Sequence, residues 1–103
     1  MNVIRSKDFH GNKAWEALPV TIFGETGVNP HSTDEACQWH INDGQEVFAV
    51  MDGIVDIHYK RDRQKKVITL YAGDIFYASE GTEHVAYPQG ISRILVTEKQ
   101  HSI

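Results

Sequence analysis

The sequence is poor in cysteine, in clustered positive charge and in long apolar runs. Cys37 is the only cysteine, which excludes an internal disulfide and any zinc site built from paired thiolates. A lone free thiol fits a reducing compartment. No stretch approaches the roughly 18 apolar residues needed to cross a bilayer. The N-terminal segment MNVIRSKDFHGNKAWEALPV also lacks the apolar run of about 7–15 residues that marks a secretory signal. The expected location is therefore the cytoplasm, with no membrane as partner. Ten basic residues against fourteen acidic ones give a formal charge of −4, and the basic residues are scattered. Nucleic acid, which demands a concentrated positive surface, is not an expected partner.

What is present is a core-forming composition at domain size. A chain of 103 residues, 41% of them hydrophobic, with four Phe, four Tyr and two Trp, can close one core but not divide it between two. One domain spanning 1–103 is expected, with entry strands and loops over 1–36 and a barrel region over 37–98. From Cys37 onward Gly44, Gly53, Gly73, Gly81 and Gly90 punctuate short runs rich in Val, Ile, Tyr and Phe. The runs EVFAVM, IVDIHYK, KVITLYA, DIFYA and ISRILVTE are too short for buried helices and read as mostly antiparallel strands. The fold class is all-β. Lys60 to Lys66, KRDRQKK, reads as a solvated hairpin tip whose charges discourage edge pairing. The only helical turn expected lies near Lys13 to Leu18.

The segment WHINDGQEVFAVMDG, Trp39 to Gly53, concentrates the chemistry. His40 and Asn42 lie two apart on an expected strand, so their side chains share a face with Cα atoms about 7 Å apart. Asp43 and Gly44 favour a turn, and Glu46 opens the next strand with Phe48 and Val50 on its inward parity. Trp39, next to His40, is expected on the opposite face. In GDIFYASEGTEHVAYP, Gly73-Asp74 turns the chain, Ser79 to Gly81 turns it again, and His84 leads the following strand. His40, Asn42, Glu46 and His84 are the candidate metal ligands. Phe48, Tyr77 and Phe76 are the candidates for a pocket wall, and Phe48 shares parity with Glu46.

These two segments resemble the paired motifs of the cupin superfamily. His40, Asn42, Glu46 and Gly53 fall on the first motif's two histidines, glutamate and closing glycine. Gly73, Ser79, Gly81, His84 and Pro88 fall on the positions of the second motif. The sequence departs at Asp34, where the family has a leading glycine, at Asn42 in place of the second histidine, and at Ser79 and Pro88. The resemblance implies a double-stranded β-helix, a jelly-roll barrel, with His40, Glu46 and His84 holding a divalent transition metal such as Mn, Fe, Ni or Zn. Asn42 would offer an amide oxygen, a neutral and harder donor than imidazole, favouring Mn, Fe or Ni over soft ions. Two histidines and a carboxylate resemble the set used by non-haem iron oxygenases. Small cupins commonly pair through an edge strand, so the resemblance implies a homodimer, with Met1 to Phe9 as the exchanged segment.

The remaining histidines, His10, His31, His58 and His101, have no partner at ligand spacing and are read as ordinary hydrogen-bonded residues. Cys37 reads as a small hydrophobe at a strand end, and Trp15 as packing. Two functions stay open. One is a metal-dependent enzyme that polarises a small oxygen-bearing metabolite, as an isomerase or dioxygenase. The other is a non-catalytic barrel, with or without metal, that binds or senses such a ligand.

Overall fold

The computed structural model describes residues 3–11 and 15–99. Ten strands follow one 3-10 turn at Ser6–Asp8: β1 Glu16–Ala17, β2 Thr21–Phe23, β3 Thr26–Thr33, β4 His40–Ile41, β5 Glu46–Asp52, β6 Ile54–Arg61, β7 Gln64–Tyr71, β8 Ile75–Ala78, β9 Glu83–Pro88 and β10 Ser92–Lys99. They form two sheets. The larger runs β1-β3-β10-β5-β8 with β2 also paired to β3, and the smaller runs β4-β9-β6-β7. Every pairing is antiparallel.

The period-two pattern explains which faces meet. In β5, Glu46, Phe48 and Val50 are buried while Val47 is exposed, and in β6 Val55 and Ile57 are buried. These side chains join Leu70, Ala86, Ile94 and Val96 in one core between the sheets, with Trp15, Cys37, Tyr59 and Phe76 packed on its edge. Removing a core side chain such as Ile57 would cost about 2–5 kcal/mol, because the transfer term adds to the cavity left behind.

Turn chemistry fixes the register. Gly53 links β5 to β6 at φ +89°, and a Cβ there would lie 2.5 Å from Ser92 Oγ and 2.8 Å from the Ile91 carbonyl oxygen. Only glycine fits both the backbone and the space. The β6–β7 hairpin closes on Asp62 and Arg63 at φ 51° and 66°, the primed-turn geometry whose twist matches the flanking strands. It confirms the solvated tip expected over Lys60 to Lys66.

One local expectation is corrected. Residues 15–18 are not helical: Trp15 sits in a turn at φ 55° and β1 follows at Glu16–Ala17, because a left-handed residue cannot continue a right-handed helix. Lys13 and Ala14 lie outside the described residues. Of Met1 to Phe9, the segment expected as an exchanged edge strand, the described part, residues 3–9, makes the 3-10 turn at Ser6–Asp8. Its end is tied to its own barrel, since Arg93 Nε donates to the Phe9 carbonyl at 2.9 Å and Arg93 Nη2 lies 3.1 Å from His10 Nδ1. Met1 and Asn2 lie outside the described residues. No helix among those residues is long and apolar enough to cross a membrane.

Candidate metal centre

The site forms where the chain passes from the small sheet to the large one. His40 in β4 pairs with His84 in β9, and their rings lie 4.2 Å apart, edge to face. Two residues later the chain leaves the small sheet, bends at Asp43-Gly44, and enters the large sheet at Glu46. The first side chain of β5 thus meets two imidazoles from the opposite sheet. Each of His40, Glu46 and His84 offers a ligand atom, and all three atoms lie within 4.8 Å of one another. Glu46 and His84 are buried, 6% and 2% exposed.

Hydrogen bonding prepares these groups for a cation. His40 Nδ1 lies 2.9 Å from the Gln38 carbonyl oxygen. A carbonyl can only accept, so Nδ1 carries the proton and Nε2 keeps its lone pair; metal-binding histidines are commonly oriented this way. His40 Nε2 and His84 Nδ1 are buried without a hydrogen-bond partner, and Glu46 Oε1, which makes no hydrogen bond of good geometry, has His84 Nε2 3.0 Å away. Buried polar atoms left without partners are costly, and a divalent cation held by the three side chains would relieve that cost. The donor set therefore fits a metal.

Burial works against the ionised form of Glu46. Polar contact with His84 and Glu98 and the charge of the two histidines outweigh it and hold the carboxyl below its ordinary range. Glu98 is the counterpart. Its Cα faces that of Glu46 across β10 and β5, and burial, followed by the neighbouring Glu46 carboxylate, pushes its carboxyl up to about 8. One proton serves two carboxylates, held by Glu98 and leaving Glu46 charged.

The three side chains open into a cavity of about 200 Å³ whose other walls are Trp15, His31, Cys37, Phe48, Ala86, Val96 and Glu98. Phe48 lines it. Cys37 also reaches it; burial raises its thiol pKa, and its Sγ accepts the Ala86 N–H at 3.2 Å. Tyr77 does not line it. β8 alternates, so Phe76 packs on the core while Tyr77 is exposed and donates its hydroxyl to Gln45 Oε1 at 2.9 Å. Asn42 is also not among the lining residues. β4 ends at Ile41, so strand parity does not carry Asn42 onto the face of His40. Asn42 is buried against the turn instead, its amide nitrogen donating to the Ala78 carbonyl at 3.4 Å and its backbone bonding Gly81 and Thr82. Trp39 points outward, as its parity requires, with the ammonium groups of Lys60 and Lys65 5.6 and 5.8 Å from its ring centre.

Sequence reasoning missed Glu98, His31 and Trp15. For Glu98 a signal existed, since it shares parity with the buried Ile94 and Val96 in ISRILVTEK. His31 and Trp15 have no such signal, because β3 and the β1 turn reach the cavity only through long-range pairing.

No protein-family model matches the chain, and neither does any curated protein sequence. Solved structures do. A cupin-2 domain containing protein from Shewanella frigidimarina superposes with a TM-score of 0.76 at 26% identity, over 87% of this chain and 85% of that one. Hydroquinone 1,2-dioxygenase from a Sphingomonas species, with 4-hydroxybenzoate bound, gives 0.75 at 22% identity, over 86% of this chain but only 28% of the dioxygenase. Hydroxypropylphosphonic acid epoxidase from S. wedmorenis gives 0.63 at 12% identity, over 72% of this chain and 43% of the epoxidase. With its antiparallel two-sheet barrel and these neighbours, the chain has the fold of a small cupin domain.

Proposed function

We propose that this domain binds one divalent transition metal, Mn, Fe, Ni or Zn, through His40, Glu46 and His84, and holds a small oxygen-bearing molecule in the adjoining cavity for dioxygenase-type chemistry. The observation that carries the reading is the clustering of three ligand atoms within 4.8 Å, with His40 already in the ligating tautomer. A metal there would act as a Lewis acid on a bound oxygen and, if iron, as the centre for dioxygen.

The protein's own contribution is shape and charge. Glu46 supplies the negative charge that balances the cation, and the Gln38 carbonyl holds the His40 ring in place. Trp15, Phe48, Ala86 and Val96 exclude water from one side of the cavity. Its size limits the guest: an apolar cavity of about 150 Å³ takes a benzene ring, so about 200 Å³ suits one ring or a metabolite of similar bulk. The hydroquinone dioxygenase neighbour, bound to a one-ring hydroxylated aromatic, supports the oxygenase form of the reading over an isomerase.

The test is oxygen uptake by iron-loaded protein offered one-ring phenols and diols, hydroquinone among them. Uptake that requires a substrate and disappears in Glu46→Gln and His84→Ala supports the reading. Tight binding of such molecules without any turnover would replace it with a non-catalytic, ligand-holding cupin.

A further inference from the structure

His31 lines the same cavity as the candidate metal centre yet is not one of the three clustered ligands. Its ring is nevertheless set as deliberately as that of His40. Nδ1 lies 2.9 Å from the Trp15 carbonyl oxygen. Since that oxygen can only accept, Nδ1 carries the proton and Nε2 keeps its lone pair. The carbonyl is delivered by a residue in an unfavourable conformation: Trp15 sits at φ 55°, a strain that persists only where the surroundings impose it. Here they do, because the indole Nε1 donates to the Glu35 carbonyl at 2.8 Å while the Trp15 ring packs at 6.0 Å edge-to-face on His31 and at 6.3 Å on Phe48. The strained turn thus builds an aromatic wall and fixes one imidazole within it.

Building on the metal-site reading, we propose that His31 Nε2 accepts the hydroxyl of the molecule held in the cavity, so that the site selects hydroxyl-bearing rings and His31 serves as their proton acceptor. In the step itself the O–H bond breaks, the electron pair stays on oxygen, and the proton forms an N–H bond at Nε2. The resulting imidazolium keeps its Nδ1–H bond to the Trp15 carbonyl, and the nearby Glu46 carboxylate favours its charge. The proton returns by the same bond when the molecule leaves. Burial lowers the His31 pKa, which keeps the free ring neutral and ready to accept at neutral pH. A histidine with neither nitrogen oriented would offer a mixture of donor and acceptor faces. This one offers an acceptor.

The experiment compares 4-hydroxybenzonitrile with benzonitrile, which lacks only the hydroxyl, by calorimetric titration of the full chain loaded with zinc. Wild type, His31→Phe and His31→Gln are titrated, and metal content is measured in the same samples. The wild type is expected to prefer the phenol by about tenfold, the worth of one well-made hydrogen bond in a closed site. His31→Phe is expected to bind the two molecules within about twofold of each other with its metal intact, and His31→Gln, whose amide oxygen can still accept, to recover part of the preference. A preference undiminished in His31→Phe would overturn the proposal by assigning hydroxyl recognition elsewhere, as would a wild type that binds both molecules alike. Loss of metal from both His31 variants would also overturn it, making His31 a support of the metal site. A wild type that takes up no zinc defeats the metal reading alone, since the hydroxyl preference of the metal-free protein still decides the role of His31.

Discussion

At the residue scale the site is governed by where one proton sits. Glu98, held at about 8, stays protonated in the fold at pH values where the unfolded chain has already released its proton. Between about pH 4.5 and 8 the folded state therefore binds more protons than the unfolded state, and stability falls as pH rises through that window. Urea midpoints of metal-free protein are expected to decline from pH 5 to pH 8, and Glu98→Gln is expected to flatten the decline. A Glu98→Gln variant whose midpoint changes with pH as the wild type's does would show that Glu98 is not held protonated. Of the site residues, Glu46 and His84 were legible in the sequence because each sits beside a turn and begins or nearly begins a strand, where parity fixes its direction. Asn42 does not follow the parity of His40 into the cavity, because β4 is only two residues long and ends before it. Tyr77 faces solvent rather than this cavity, and an aromatic residue in a short strand gives no sign of which face is wet.

At the element scale the turns carry the register that brings the two sheets' ligands together. Gly53→Ala would force a Cβ into Ser92 and the Ile91 carbonyl at a left-handed position. The expected loss is about 2 kcal/mol or more, read as a lower denaturant midpoint at unchanged slope; an unaltered midpoint would mean that this turn does not hold β5 against β6. The opposite effect is expected at the β6–β7 tip. Arg63→Gly places at φ 66° the residue that suits a primed turn, and a gain of about 0.5–1 kcal/mol should appear in the same titration. The strands themselves were legible because their apolar residues alternate between turn formers at regular spacing. The region before Cys37 was not, because β1 and β2 are two and three residues long and take their form from pairing with β3 rather than from any local pattern.

At the scale of the whole molecule, the barrel places three ligand atoms, drawn from both sheets, at one end of a single core. A cation that binds there bridges the sheets and binds only the folded chain. At about a hundred times its dissociation constant it adds about 2.7 kcal/mol to stability. For a domain of this size that corresponds to a rise in Tm on the order of ten degrees, and a chelator should reverse it. A melting temperature indifferent to Mn, Fe, Ni and Zn would place any bound metal away from the sheet junction. The overall architecture was legible because the spacing between His40, Glu46, Gly53, Gly73 and His84 is set by strand and turn lengths, which the barrel itself imposes. The composition of the cavity was not, since its walls bring Trp15 and His31 beside Glu98 across most of the chain's length.

The most direct measurement is the metal content of protein purified without a chelating tag, for the wild type and for Glu46→Gln and His84→Ala. Close to one Mn, Fe, Ni or Zn per wild-type chain is expected, lost in both variants. A wild type that is empty as purified and takes up none of these ions at micromolar concentration would contradict it.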